Sequence, residues 1–397
     1  MMKALAYLIC YIIYPFSFLF PRRKKRWAFG SFRGAFNDNA KYLFIYANEN
    51  GKDIDAAWIS SNGDTVRKVR DLGFKAYRST SIKGALFALT SKYWFFNSYT
   101  SDIMFCLSGG ATCVNLWHGV GLKRIEFNTT SGPLADRFIH RKFKEVFFHP
   151  ESFRRPDWLL TSAPFQTSMF AKAFRIPEDK CLELGYPRNT ILNMPENEIK
   201  EFVRKYEPQS TAALIEETAA FRKTYIYMPT WRDSQREIFI QGMDLEKLND
   251  VLSANGDLLL LKPHANTIVT DSVKGFSNIR LIDSKADVYP VLPFTDTLIT
   301  DYSSILYDYL LMEGKDVVLY LYDYEDYVKE RDFYYPFDDN TVGSIAVCMD
   351  ELIALLQNGV PSLDKARRRE ITDRFWGQST ACSSSEMILS FFDNRSV

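Results

Sequence analysis

Short apolar runs that alternate with helix-patterned segments, in two successive series, constrain this chain more than any other feature. The first series has strand-like runs at Arg26 to Ser31, Ala56 to Ser60, Lys75 to Tyr77, Lys92 to Phe96 and Thr112 to Trp117. Helical stretches at Asn39 to Asn50, Thr65 to Leu72 and Gly84 to Thr90 separate them. The second passes through Thr224 to Met228, Asp257 to Lys262, Ile279 to Ile282, Thr297 to Thr300 and Val317 to Leu321. Its helices fall at Leu245 to Ala254, Ser304 to Met312 and Met349 to Leu356. Such alternation builds parallel sheets covered by helices. Between the series, Asn193 to Arg222 is charged and helical, and carries the interdomain connection. The expectation is an α/β protein of two Rossmann-like domains, 27–200 and 201–397, facing across a cleft lined by strand C-termini and helix N-termini. A length of 397 residues suits two such domains.

Ahead of them, Ala4 to Phe20 is nearly all apolar and runs into Pro21-Arg22-Arg23-Lys24-Lys25-Arg26. The run sits at the low edge of what crosses a ~30 Å hydrocarbon core, and Pro15 weakens a straight span further. A cleaved signal peptide carries its charge before the apolar run, not after it. The reading is therefore a membrane-associating segment, 1–26, with spanning and interfacial forms both open. Its aromatics suit the headgroup boundary, and Arg22 to Arg26 would face anionic lipid on the cytoplasmic side. The formal net charge is zero, which gives no footing for nucleic acid. The six cysteines form no CxxC pair and no zinc spacing, so reduced thiols and no metal are expected.

Four strand exits carry chemistry. Trp117-His118-Gly119-Val120-Gly121-Leu122-Lys123 leaves an imidazole at a sheet edge, with glycines that let a substrate approach and Lys123 one turn away. The alternative is a core histidine beside a buried tryptophan. In Met228-Pro229-Thr230-Trp231-Arg232-Asp233 the guanidinium of Arg232 can grip a phosphate with its planar fork, or pair with Asp233. The apolar strand Leu258 to Leu261 ends in Lys262-Pro263-His264, where a lysine and a histidine gain nothing from packing. Thr300-Asp301-Tyr302-Ser303-Ser304 runs from strand into helix, where N–H groups and hydroxyls make an anion site. Asp and Ser would also serve there as plain helix caps. There is no GxGxxG fingerprint, P-loop, HExxH or nucleophile elbow. The pair Asp53 and Asp55 reads as a turn, not a metal site.

In this order, the segments resemble the CDP-glycerol glycerophosphotransferase family of teichoic-acid and capsule polymer synthesis. The resemblance covers roughly Phe29 to Ile388. Trp117-His118-Gly119 with Lys123 looks like the family's first histidine motif, and Gly185-Tyr186-Pro187-Arg188-Asn189 like the segment closing its first domain. Pro229 to Arg232, Lys262 to His264 and Thr300 to Ser304 look like its donor-domain motifs. The resemblance implies a GT-B-like architecture, with CDP-glycerol bound mainly by the second domain and no further cofactor. It implies a lipid-linked saccharide or polymer acceptor at the cytoplasmic membrane surface. His118 and His264 are then the expected catalytic pair. Arg232, Lys262, Thr300, Asp301, Ser303 and Ser304 would hold the donor phosphates, with Gly119, Lys123 and Arg188 on the acceptor side. The alternatives are a CDP-ribitol or other activated donor, or a non-catalytic membrane-bound assembly protein of the same fold. In the first motif Val120-Gly121 replaces the family's usual Thr-Pro-like pair.

Overall fold

The computed structural model describes residues 2–230, 243–263, 275–330, 333–377 and 383–396. The chain divides into two compact units, residues 1–190 with 375–397, and residues 191–374. A boundary at 200 with everything later in one domain therefore differs from the observed division, because the last stretch returns to the first unit. The cause is packing. In the helix Ser384–Asp393, Phe392 is fully buried and lies 5.1 Å from Tyr93 and 5.3 Å from Phe95 between ring centroids.

The first unit is built on a wholly parallel sheet. Its strands are β1 (Arg23–Phe29), β2 (Asp55–Ser60), β3 (Ala76–Arg78), β4 (Ser91–Phe96), β5 (Thr112–Asn115), β6 (Trp158–Thr161) and β7 (Cys181–Glu183). They lie in the order β3-β2-β1-β4-β5-β6-β7. The second unit contains β8 (Thr224–Tyr227), β9 (Leu258–Leu261), β10 (Ile279–Leu281), β11 (Thr297–Thr300), β12 (Asp316–Tyr320) and β13 (Ser344–Ala346), in the order β10-β9-β8-β11-β12-β13. Each order reverses at its first strand, so each sheet has one switch point: β1/β4 in the first unit and β8/β11 in the second. In open α/β sheets ligands settle at the strand C-termini beside that point. Both faces of these sheets are covered, which is why β8 and β9 are buried along their whole length.

At the N-terminus the sequence leaves spanning and interfacial forms both open, and the placement of the basic cluster needs correction. The apolar run forms a 15-residue helix, Met2–Phe16, about 22 Å long at 1.5 Å per residue. No helix among the described residues is long and apolar enough to cross a membrane. One side of the helix docks on the first unit. Tyr14 stacks on Phe105 at 4.8 Å, and the Tyr11 hydroxyl donates to the Phe147 carbonyl at 3.2 Å. Leu5, Ile12 and Phe16 face outward and are exposed.

The basic cluster is largely committed to the protein rather than left for lipid. Arg22 is drawn into the domain, where its guanidinium donates to the carbonyls of Ala88 (2.7 Å), Leu107 (2.9 Å) and Gly109. Burial lowers its pKa to about 10. Arg23 to Arg26 begin β1, earlier than the sequence pattern suggested. Lys25 pairs with Asp393 at 2.6 Å and Arg26 with Asp55 at 2.7 Å, while Arg23 and Lys24 stay exposed. The partners of the committed residues lie far along the chain, out of reach of a local reading.

Candidate active site

In the first unit the site grows from the ends of β1, β4 and β5. The end of β1 must pass close to the loop after β4. A Cβ on Gly30 would stand 2.5 Å from the Asp102 carbonyl oxygen, so only glycine fits. The Asp102 carboxylate is buried and accepts the N–H groups of Asn97 (3.1 Å) and Ser98 (2.9 Å). Burial raises its pKa to about 7 against those hydrogen bonds. The Asn97 side chain donates to Ser31 and accepts from the N–H of Ala40. The turn after β4 is thereby fixed from several sides.

That turn orients the histidine. His118 follows β5, is solvent-exposed, and places Nδ1 3.3 Å from the Asn97 carbonyl oxygen. A carbonyl can only accept, so Nδ1 carries a proton, and in the neutral ring Nε2 keeps its lone pair. Although the side chain retains open surface, the protein packed around it disfavours the imidazolium and lowers its pKa below 6.5. Arg188 acts in the same direction; Asp38 and the Asn97 carbonyl oppose it. Trp117 is buried with φ of 52°, and its ring lies 4.0 Å from the imidazole and 4.8 Å from Phe174. A left-handed conformation costs a bulky residue roughly 1–2 kcal/mol, so the loop is held rather than relaxed.

Of the residues expected on the acceptor side, Gly119 and Arg188 meet at the histidine. Gly119 has φ of 142°, and its carbonyl accepts from Tyr186 Oη at 3.1 Å. Arg188 is buried; its Nη1 lies 2.6 Å from Asp38 Oδ1 and 3.0 Å from the His118 carbonyl oxygen. Lys123 is on the same loop and half-buried. Asp38, Asn39, Asn97 and Asp102 were not singled out by the sequence pattern, and Tyr186 entered it only as part of the Gly185 to Asn189 motif. Their partners lie tens of residues away or more, except within the Asn97–Asp102 turn.

In the second unit, Thr300, Asp301, Ser303 and Ser304 sit together at the end of β11, beside the switch point. Thr300 Oγ1 donates to the Met228 carbonyl at 2.7 Å, and Asp301 Oδ1 accepts the Thr230 N–H at 2.8 Å. Both side chains are buried and stitch the exit of β11 to that of β8, while Ser303 and Ser304 remain partly open. The expected helix from Ser304 to Met312 is shorter, Ile305–Tyr309, and Ser304 makes no side-chain cap bond. So short a segment has little macrodipole, and the donors left for an anion are individual N–H and O–H groups. Lys262, at the end of β9, is buried with Nζ 2.8 Å from the Ser284 carbonyl oxygen; burial lowers its pKa to about 8. Arg232 and His264 lie outside the described residues. Among the described residues no group of three or more His, Cys, Asp or Glu could hold a metal ion.

Comparison with known proteins identifies the family. The family model for CDP-glycerol:poly(glycerophosphate) glycerophosphotransferase matches residues 12–391. The chain belongs to this family. A teichoic acid glycerol-phosphate transferase of Staphylococcus aureus is 28% identical over 337 residues, covering 83% of this chain and 82% of that protein. A teichoic acid poly(glycerol phosphate) polymerase of Staphylococcus epidermidis is 27% identical over 372 residues, 89% of this chain but 48% of the polymerase. The chain therefore spans most of one glycerophosphotransferase relative and about half of the other. The solved wall teichoic acid polymerase TagF shares the fold with a TM-score of 0.73, at 23% identity over 94% of this chain and 90% of that one.

Proposed function

We propose that the chain transfers glycerol phosphate from CDP-glycerol to a hydroxyl of a membrane-linked acceptor in teichoic-acid or capsular polymer synthesis. The acceptor oxygen bonds to the phosphorus bearing glycerol, the bond from that phosphorus to the bridging oxygen breaks, and CMP leaves. The hydroxyl proton goes to Nε2 of His118. The observation that carries this reading is the exposed imidazole whose Nδ1 is tied to the Asn97 carbonyl, leaving Nε2 as the proton acceptor. Its pKa below 6.5 keeps it neutral, and so basic, near neutrality.

In this reading the two units act as a GT-B-like enzyme, with the donor held by the second. The open N–H and hydroxyl groups of Ser303 and Ser304 serve the pyrophosphate, while Thr300 and Asp301 hold the strand exits that present them. Arg232 and His264, which lie outside the described residues, are assigned to the donor phosphates by the family resemblance alone. Lys262 contributes positive potential from a position committed to the 284 carbonyl. No resident cofactor is required. The exposed side of the helix Met2–Phe16, with Leu5, Ile12 and Phe16, rests in the interface of the cytoplasmic leaflet and places the enzyme beside its lipid-linked acceptor.

The test is CMP release from CDP-glycerol by the full chain with a lipid-linked saccharide acceptor. Product mass rising by glycerol-phosphate units supports the reading and counts the units added. Several relatives of similar identity are named ribitol-phosphate primases or polymerases, which favours CDP-ribitol as the second donor to assay. Release with CDP-ribitol alone would change the donor. Release with neither, by folded protein, would overturn the enzyme reading in favour of a non-catalytic assembly role.

A further inference from the structure

We propose that Arg188, Tyr186 and Asn39 are positioning residues that clamp the His118 loop from outside. The inference rests on His118 being the base. Four consecutive carbonyls of this loop are each gripped by a side chain from elsewhere in the first unit. Asn39 Nδ2 donates to Leu116 O (3.3 Å) and Trp117 O (2.8 Å). Arg188 Nη1 donates to His118 O (3.0 Å), and Tyr186 Oη to Gly119 O (3.1 Å). Each of these carbonyls is held by the side chain of one of two short segments, 38–39 and 186–188.

The two segments also hold each other. The Arg188 N–H donates to Asn39 Oδ1 at 3.2 Å, and Asp38 Oδ1 accepts from Arg188 Nη1 at 2.6 Å. Arg188 is only 5% exposed, and its Nη1 is committed to Asp38 and to the loop. That burial moves Arg188 from an acceptor-contacting role to a holding one.

The clamp has something to hold. Trp117 at φ of 52° stores backbone strain beside the histidine, while Gly119 at φ of 142° takes a conformation that glycine adopts freely. A rotated peptide at His118 would carry the imidazole away from the Asn97 carbonyl. Nδ1 would lose the partner that selects its tautomer, and Nε2 would no longer present one fixed lone pair. The clamp therefore sets which nitrogen is basic and where it points, without touching substrate.

The experiment compares the full chain with Tyr186→Phe, Arg188→Lys and His118→Ala, reading steady-state CMP release and the nitrogen-15 spectrum of the histidine rings. Tyr186→Phe removes one hydroxyl and leaves the ring packed against Trp376 at 5.7 Å, so it tests the clamp even if Arg188→Lys does not fold. Small displacements of a reacting group cost up to about a hundredfold in rate. We expect kcat to fall about tenfold in Tyr186→Phe and about a hundredfold in Arg188→Lys, with KM for CDP-glycerol unchanged. In both, the His118 ring should change from the Nδ1-protonated form to a mixture of tautomers. A wild-type spectrum with kcat within about twofold of wild type would overturn the clamp, and so would a raised KM at unchanged kcat. The base assignment fails separately, if His118→Ala turns over normally. The ring spectra of the other variants still report on the clamp in that case.

Discussion

Each unit places its candidate residues at the C-terminal edge of its own parallel sheet, and the two hold them there by different means. In the first, the His118 loop is gripped by side chains from two distant segments and carries backbone strain at Trp117. In the second, the strand exits hold each other, Thr300 to Met228 and Asp301 to Thr230, directly across neighbouring strands. The difference fits the proposed tasks. A base presents one atom at one position and needs a loop fixed from outside. A pyrophosphate offers many oxygens and is served by groups whose positions follow from the sheet.

The largest effect should come from His118→Ala. Loss of a general base removes about 10²–10⁴ in rate, so CMP release should fall by that range while the melting temperature stays near that of wild type. Turnover close to normal would end the contrast between the two edges. Next, Asp301→Ala strips a buried partner from the Thr230 N–H. It should cost about 1–3 kcal/mol of stability and raise KM for CDP-glycerol more than it lowers kcat. A pure kcat defect, seen in kinetics alongside calorimetry, would mean the second edge is also a point-positioning device.

A smaller effect sharpens the first edge. The active form of His118 is neutral, so activity is present above its pKa and lost as pH falls through it, at a value below 6.5. Asp38 is the charge that opposes the lowering, so Asp38→Asn should move the acid limb of kcat/KM to lower pH. A limb that moves upward, or stays, counts against the assignment. The smallest change in the protein itself should be Ile12→Glu, at an outward position 64% exposed. Its stability should change by no more than about 0.5 kcal/mol, while co-sedimentation with anionic vesicles is lost. Undiminished sedimentation would remove that helix face from the membrane.

Much of the core was legible because fully buried parallel strands announce themselves, as Leu258 to Leu261 does. Strands β6, β7 and β13 were not: they are short edge-ward elements, three or four residues long, without a long apolar run. The start of β1 was hidden by its charges. Arg26 and Lys25 are neutralised by Asp55 and Asp393, which no local pattern connects to them. His118, the proposed base, drew attention because a histidine followed by glycine at a strand end is a local signal. The residues proposed to orient it carried no such signal of their role: Asn39 is an ordinary residue type, and Tyr186 sat in a quoted motif whose contact with the loop exists only once the chain has folded.

The return of the helix Ser384–Asp393 to the first unit bears on how the protein is made. Phe392 fills a place against β4, beside Trp158, that stays open while residues 191–374 are synthesised. At 5–20 residues per second, that interval is roughly 10–40 s. During it the second unit can finish folding while the first waits with an aromatic surface uncovered. On the ribosome, the aromatic surface of the first unit that Phe392 covers thus stays open until the helix Ser384–Asp393 has been made.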